Sequence, residues 1–166
     1  MKTTVAQKAF LARGRKELSV RRARVGDVPQ IIALAKIRDG AKKKWSPGRR
    51  SGFTLQLRHI IGGNDNHRCW VALDGQKKIV GYAFASFTYS PIDDGMWLHV
   101  TELYVRPRMR SFGVGQRLMR VIKTASKKAK VRGLWLVVHQ NNVDAKRFYR
   151  RHKLSMHGMT SCVWVG

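Results

Sequence analysis

Val105-Arg-Pro-Arg-Met-Arg110-Ser-Phe-Gly113-Val-Gly115 reads as the end of a strand, a basic turn and the opening of a helix. Upstream, residues 96–105 are apolar and rich in strand formers. Downstream, Val114, Leu118, Val121, Ile122, Ala125 and Ala129 fall within about 100° of a helical wheel, a stripe that needs a core to pack on. Arg117, Arg120, Lys123, Lys127, Lys128 and Lys130 cover the opposite side of that wheel. Glycines let a backbone approach a ligand closely, and a helix N-terminus offers unpaired N–H groups and a partial positive charge, so such a turn suits phosphate oxygens. Taken alone, Gly-x-Gly fits a tight turn with close helix packing equally well. The Gly-Lys-Ser/Thr ending of nucleotide P-loops and the third glycine of the dinucleotide fingerprint are both missing.

Working outward, residues 18–25 alternate like a strand, and Gly26-Asp27 leads into a helix over 28–35, with Asp27 the expected N-cap and Pro29 in the first turn. Residues 40–52 read as a basic loop containing Lys42, Lys43, Lys44, Trp45, Arg49 and Arg50, followed by a short helix over 53–61 that Gly62-Gly63 closes. Residues 69–73 and 79–88 are strands joined by a hairpin signal, Asp74-Gly75. A turn at 90–95 precedes the fourth strand, 96–105. Gly133 stops the amphipathic helix, 134–138 form a fifth strand, and Asn142 or Asp144 caps a helix running to about Arg151. Residues 154–157 and 162–165 suggest a closing hairpin. The order predicts a mixed α+β layer fold in one domain, 19–166, preceded by a basic arm, 1–18.

Charge is distributed unevenly. The 166 residues hold 34 Lys plus Arg against 9 Asp plus Glu, a net charge of +25. Residues 1–50 carry +12, 51–100 carry zero and 101–166 carry +13. A purely solubilising charge has no reason to leave the middle neutral, so the outer thirds are expected to build a surface facing a polyanion such as nucleic acid. Cys69 and Cys162 are too few for a disulfide framework or a four-ligand zinc site, and the histidines show no helical metal spacing. Neither an export signal nor a membrane span is evident, which leads to the expectation of a cytoplasmic protein without a membrane partner, as monomer or homodimer.

Arg110-x-x-Gly113-x-Gly115, preceded by Val105-x-Pro107, resembles the acyl-coenzyme A pyrophosphate loop of the GNAT superfamily of N-acetyltransferases. Asn142-x-x-Ala145-x-x-x-Tyr149, directly after the fifth strand, is similar to that family's second signature, and the start of the first helix resembles its opening. The resemblance covers about 19–166. Ser111 stands where the family usually has Gly, Phe112 where a small or basic residue is common, and His152-Lys153-Leu154 replaces its usual Gly-Phe.

The resemblance implies a GNAT-like fold: a mostly antiparallel sheet of six to seven strands, splayed between strands four and five and flanked by about four helices. It implies acetyl-CoA as acyl donor. Backbone groups of Leu103, Tyr104 and Val105 would bind the pantetheine arm, and Arg110, Ser111, Phe112, Gly113, Val114 and Gly115 would bind the pyrophosphate. Asn142 and Ala145 would touch the arm's far side, Lys146 or Arg147 the 3'-phosphate, and Tyr149 would lie near the sulfur as the acid. Amide formation also needs a group to take the amine's proton. Glu102, one of two glutamates, is the first candidate, and its alternative is a carboxylate paired with an arginine. His139 is the second candidate, Asp93 and Asp94 follow, and His99 reads as structural.

Bound coenzyme A carries about four negative charges and occupies about five cations, which leaves most of the +25 unexplained. The acceptor amine is therefore expected on, or delivered with, a polyanion, with the Lys42–Lys44, Trp45, Arg49 and Arg50 loop supplying phosphate contact and stacking. A nucleic-acid-binding or assembly protein that keeps the fold without turnover is the alternative, and a small-molecule amine acetyltransferase is the lesser one.

Overall fold

The computed structural model describes residues 17–40, 45–63 and 66–157. The chain divides into two compact units, 1–136 and 137–166. In the first, five strands form one sheet in sequential order: β1 Ser19–Arg22, β2 His67–Leu73, β3 Ile79–Ser90, β4 Gly95–Val105 and β5 Gly133–Trp135. The first four pair antiparallel and β4 pairs β5 in parallel.

Helices cover the two faces of this sheet, which explains why β2 and the start of β3 are buried at nearly every position. Cys69, Val71, Leu73, Tyr82 and Phe84 share one core cluster with Ile31 and Leu34 of α1 (Val28–Asp39) and Leu57 of α2 (Pro47–Gly62). Trp70, Ala72, Ala83, Ala85, Leu98 and Val100 share the other with Val114, Leu118 and Ile122 of α3 (Val114–Lys128). The alternation along β2 and β3 is the pleat itself.

Two irregularities in β4 position the site. The register to β3 steps from Phe84↔Glu102 to Ala85↔Val100, so Thr101 is an extra, bulged residue. Strict alternation would put Glu102 on the α3 face with Leu98 and Val100, whereas the bulge turns Glu102 and Tyr104 to the α1–α2 face. On the other edge, the β4–β5 ladder covers Trp97, Leu98 and His99 and ends there, while β4 continues to Val105. Gly133 opens β5 because a Cβ there would lie 2.6 Å from the Trp97 ring.

The mixed α+β fold is as expected, and the described residues hold four α-helices and five strands, against the expected four helices and six to seven strands. The fifth strand is shorter than expected, residues 154–157 form no strand, and 162–165 lie outside the described residues. So do Lys42, Lys43 and Lys44, and residues 1–16 of the basic arm. Ser46-Pro-Gly-Arg-Arg50 is not loop but the beginning of α2: Ser46 Oγ accepts from the Arg49 N–H at 3.3 Å, and Pro47 needs no N–H in a first turn. Asp27 makes no side-chain cap to α1. Its carboxylate instead accepts from the Arg24 N–H at 2.7 Å and from Arg21 at 2.7 and 2.9 Å, tying the end of β1 to the 3-10 turn Val25–Asp27.

The second unit carries α4, Val143–Arg151. Asn142 caps it, its Oδ1 accepting from the Ala145 N–H at 3.1 Å. Among the described residues no helix is long and apolar enough to cross a membrane.

Candidate functional site

After β4 the chain makes a 3-10 turn, Pro107–Met109, and then places Ser111 at φ +66° and Gly113 at φ +86° before entering α3. Two left-handed residues around Phe112 curl the backbone so that α3 starts without a side-chain cap. Its first N–H groups have no intrahelical acceptor, and Arg117 N–H to Gly113 O, 3.0 Å, is the first helical bond. The turn borders a cavity of about 310 Å³ lined by Ser111, Phe112, Gly113, Gln116, Arg117 and Arg120. N–H groups, the positive end of a 15-residue helix and two guanidinium side chains suit a pyrophosphate. Between Glu102 and Asp144 the sequence holds no carboxylate to compete for those cations.

Expectation had the turn but not Gln116, Arg117 and Arg120, which project from α3 one and two turns beyond Gly113. Their i, i+3 and i, i+4 spacing from the glycine was the available signal. Arg110 folds back on the turn, Nε donating to Val105 O at 3.3 Å. Arg117 also braces β1, its Nη1 donating to Leu18 O at 2.8 Å.

On the opposite face of β4, Glu102 meets the end of α1. Arg38 Nη1 and the Tyr82 hydroxyl both donate to Glu102 Oε1, the latter at 2.5 Å, and Arg38 Nη1 also reaches Tyr82 Oη at 3.2 Å. The other side of the guanidinium holds Asp39 Oδ1 at 2.8 Å. Burial pulls against the charge of Arg38, but the hydrogen bond and charge of Glu102 outweigh it and raise its pKa. Burial, then the Glu102 charge, pushes the Tyr82 phenol up, so it stays a donor. Neither Arg38 nor Tyr82 belongs to a sequence motif. The pairing with arginine weighed for Glu102 is present, and the carboxylate nevertheless lines a cleft of about 260 Å³ with Phe53, Leu57, Ile60, His67, Phe84, Ala85 and Thr101.

Trp45 is not set up for stacking on a base. Its ring packs edge-on to Phe53 at 5.3 Å, with Arg49 at 5.4 Å and Lys36 at 5.9 Å over it, and Arg49 also approaches Asp39 Oδ2 at 3.6 Å. Arg50 is exposed on α2. Asp93 and Asp94 serve the β3–β4 turn, accepting from Ser90 at 2.7 Å and Tyr89 at 3.1 Å. His99 stacks flat on Trp135 at 3.8 Å, and burial lowers its pKa. Cys69 is a buried thiol whose pKa burial raises. Leu103 and Val105 lie in the β3–β4 ladder opposite Ala83 and Gly81.

Within the second unit, His139 is exposed and its Nδ1 accepts from the Asn141 N–H at 3.2 Å. Tyr149 is 9% exposed and burial raises its pKa. Asn142 is committed to the α4 cap, Lys146 is half-buried, and Arg147 pairs loosely with Asp144 at 3.9 Å. Among the described residues no three His, Cys, Asp or Glu side chains gather as a metal site.

The profile of the acetyltransferase (GNAT) family matches residues 34–153, well over half of the sequence. The chain belongs to the GNAT acetyltransferase family. GNAT proteins are acyltransferases that generally use acetyl-CoA as donor. Its fold is shared by an aminoglycoside acetyltransferase, meta-AAC0020, from an uncultured soil metagenomic sample, with a TM-score of 0.74, 17% identity, and 91% and 97% of the two chains covered. It is shared too by a ribosomal-protein-alanine N-acetyltransferase from Brucella melitensis biovar Abortus 2308, at 0.72, 14%, 89% and 99%. An integron cassette protein, HFX_CASS3, from the mobile metagenome of Cole Harbour Salt Marsh reaches 0.76, with 21% identity and 94% of each chain. No curated protein sequence matches this GNAT protein.

Proposed function

We propose that the protein is an acetyl-CoA-dependent N-acetyltransferase for a primary amine carried on, or associated with, a polyanion. The observation that carries the donor half is the turn through Ser111 and Gly113, which brings the N-terminus of α3 to the cavity lined by Gly113, Arg117 and Arg120. Residues 110–115, Gln116, Arg117 and Arg120 would hold the pyrophosphate, and Leu103, Tyr104 and Val105 the arm. Acetyl-CoA would supply the activated acyl thioester.

Glu102 is the proposed proton acceptor for the amine, directly or through a water. Tyr149, whose phenol pKa is raised by burial still further from neutrality, is the proposed acid. Asn142, which caps α4 through Oδ1, and Ala145 would touch the far side of the arm, and His139 is the reserve base. The polyanion reading is supported by the net +25 and by Arg120, Lys127, Lys128 and Lys130 on the solvent side of α3 and its C-terminal turn. With Trp45 packed on Phe53, that contact would be made by cations and not by stacking. The apolar cleft beside Glu102 favours a second reading, a small free amine.

Titration calorimetry of nucleic-acid-free protein with acetyl-CoA tests the donor site. Micromolar binding that is lost in Gly113→Glu is the expected result. No binding to the wild-type protein would move the non-catalytic nucleic-acid-binding alternative to first place. Screening oligonucleotides, basic proteins and small amines for acetyl uptake then separates the two acceptor readings.

A further inference from the structure

The end of α1 and the middle of β4 are far apart in sequence, yet one guanidinium joins them at the carboxylate of Glu102. We propose that Arg38 and Tyr82 are positioning residues that clamp a single oxygen of Glu102 and thereby present its other oxygen to the amine in the Phe53–Leu57–Ile60–Phe84 cleft. The proposal rests on the proton-accepting role given to Glu102 above.

Four observations carry it. Both donors converge on Oε1, from different elements, so the carboxylate is held in one rotamer and no bond to Oε2 is made among the described residues. Arg38 cannot swing away, because its Nε and Nη2 are held by Asp39, whose side chain is only 4% exposed. Tyr82 is fixed in turn: it is fully buried, and its ring packs against Phe84 at 5.4 Å and Tyr104 at 5.7 Å. The Thr101 bulge completes the device by turning Glu102 to this face.

A simple buried ion pair needs no second donor on the same oxygen and no aromatic support behind it. Nor would it place its carboxylate in the wall of an apolar cleft. Held this way, the carboxylate loses no rotamer freedom when an amine arrives, and proton transfer begins from a fixed geometry. The other titratable groups packed around Glu102 are Asp39 from α1, His67 and Cys69 from β2, and Tyr104 from β4 itself.

The chain has two glutamates, Glu17 and Glu102, which makes the test direct. Protein labelled with 13C at the glutamate carboxyl carbon gives two resonances, assigned with Glu17→Gln. In Arg38→Met the Glu102 carboxyl resonance is expected to move from its wild-type chemical shift at neutral pH, because a charge-assisted hydrogen bond to Oε1 is lost, while the Glu17 resonance stays in place. In Tyr82→Phe, which keeps the ring in the core, a smaller displacement of the same resonance is expected. An unmoved Glu102 resonance in both variants, with wild-type circular dichroism, would overturn the clamp.

Thiol release from acetyl-CoA, with 2-phenylethylamine as probe amine, separates the failures. Arg38→Met is expected to lower kcat about 10- to 100-fold with little change in the KM for acetyl-CoA, and added ethylguanidine is expected to restore part of it. If Glu102→Gln keeps the wild-type rate, the role of Glu102 falls and this inference with it. If Glu102→Gln is slow while Arg38→Met and Tyr82→Phe match wild type, only the positioning role falls.

Discussion

Ser111 holds a backbone shape that an L-residue resists. At φ +66° its Cβ crowds the following carbonyl, a strain of roughly 1–2 kcal/mol that glycine escapes. The shape is needed because, with Gly113 at φ +86°, it brings the start of α3 to the edge of one cavity. Replacing Ser111 by Gly relieves the strain but adds about 0.5–1 kcal/mol of unfolded-chain entropy. Ser111→Gly is therefore expected to raise Tm slightly, by no more than about 6 °C, and to keep acetyl-CoA affinity within a few-fold. Ser111→Val, β-branched at a left-handed position, is expected to lower both. Calorimetry and thermal melts check the pair, and tight binding in the valine variant with weak binding in the glycine variant would contradict the backbone account.

Gly81 in β3 sets how closely α3 can approach the sheet. A Cβ there would lie 2.9 Å from the Tyr104 carbonyl oxygen and 3.1 Å from Val114 Cγ1, and the first of these neighbours is backbone that cannot turn aside. Gly81→Ala is expected to cost about 1–3 kcal/mol and, by pushing on Val114, to weaken acetyl-CoA binding as well; a melt and a titration on one preparation test both. The phosphate turn itself was legible because everything that makes it is local: glycines, an arginine and an apolar 3.6-residue period. The α2 start was legible too, in Ser46-Pro47, but the surrounding cations drew it into a loop. Glu102 was legible as a candidate and not as a geometry, since its side of the sheet depends on two β4 residues facing one gap in β3. Arg38 and Tyr82 carried no local signal because their meaning lies in contacts 64 and 20 residues away.

Across the whole molecule, the scarcity of carboxylates makes each one count. Asp27 is held below the usual carboxylate range, first by its hydrogen bond from Arg21 and against the opposing effect of burial. Its folded pKa is thus below its unfolded one, so its contribution is present above about pH 4 and is lost as pH falls through the folded value. Arg21 is 34% exposed, which keeps the effect modest. Tm should fall more steeply below about pH 4 in wild type than in Asp27→Asn, and parallel curves would remove the pair from the acid response. The cations make the opposite kind of prediction, because they face outward. If α3 and its C-terminal turn engage a polyanion, each lysine that neutralises a phosphate adds about 0.9 to the slope of log K against log salt on duplex DNA. Changing Lys127, Lys128 and Lys130 together to Gln should then flatten that slope by between two and three units on a 20-base-pair probe. Acetyl-CoA affinity should stay unchanged, since none of the three lines the donor cavity. Equal slopes for the two proteins would place the polyanion elsewhere on the chain, and a wild-type slope near zero would leave the +25 with no partner and favour the small free amine as acceptor.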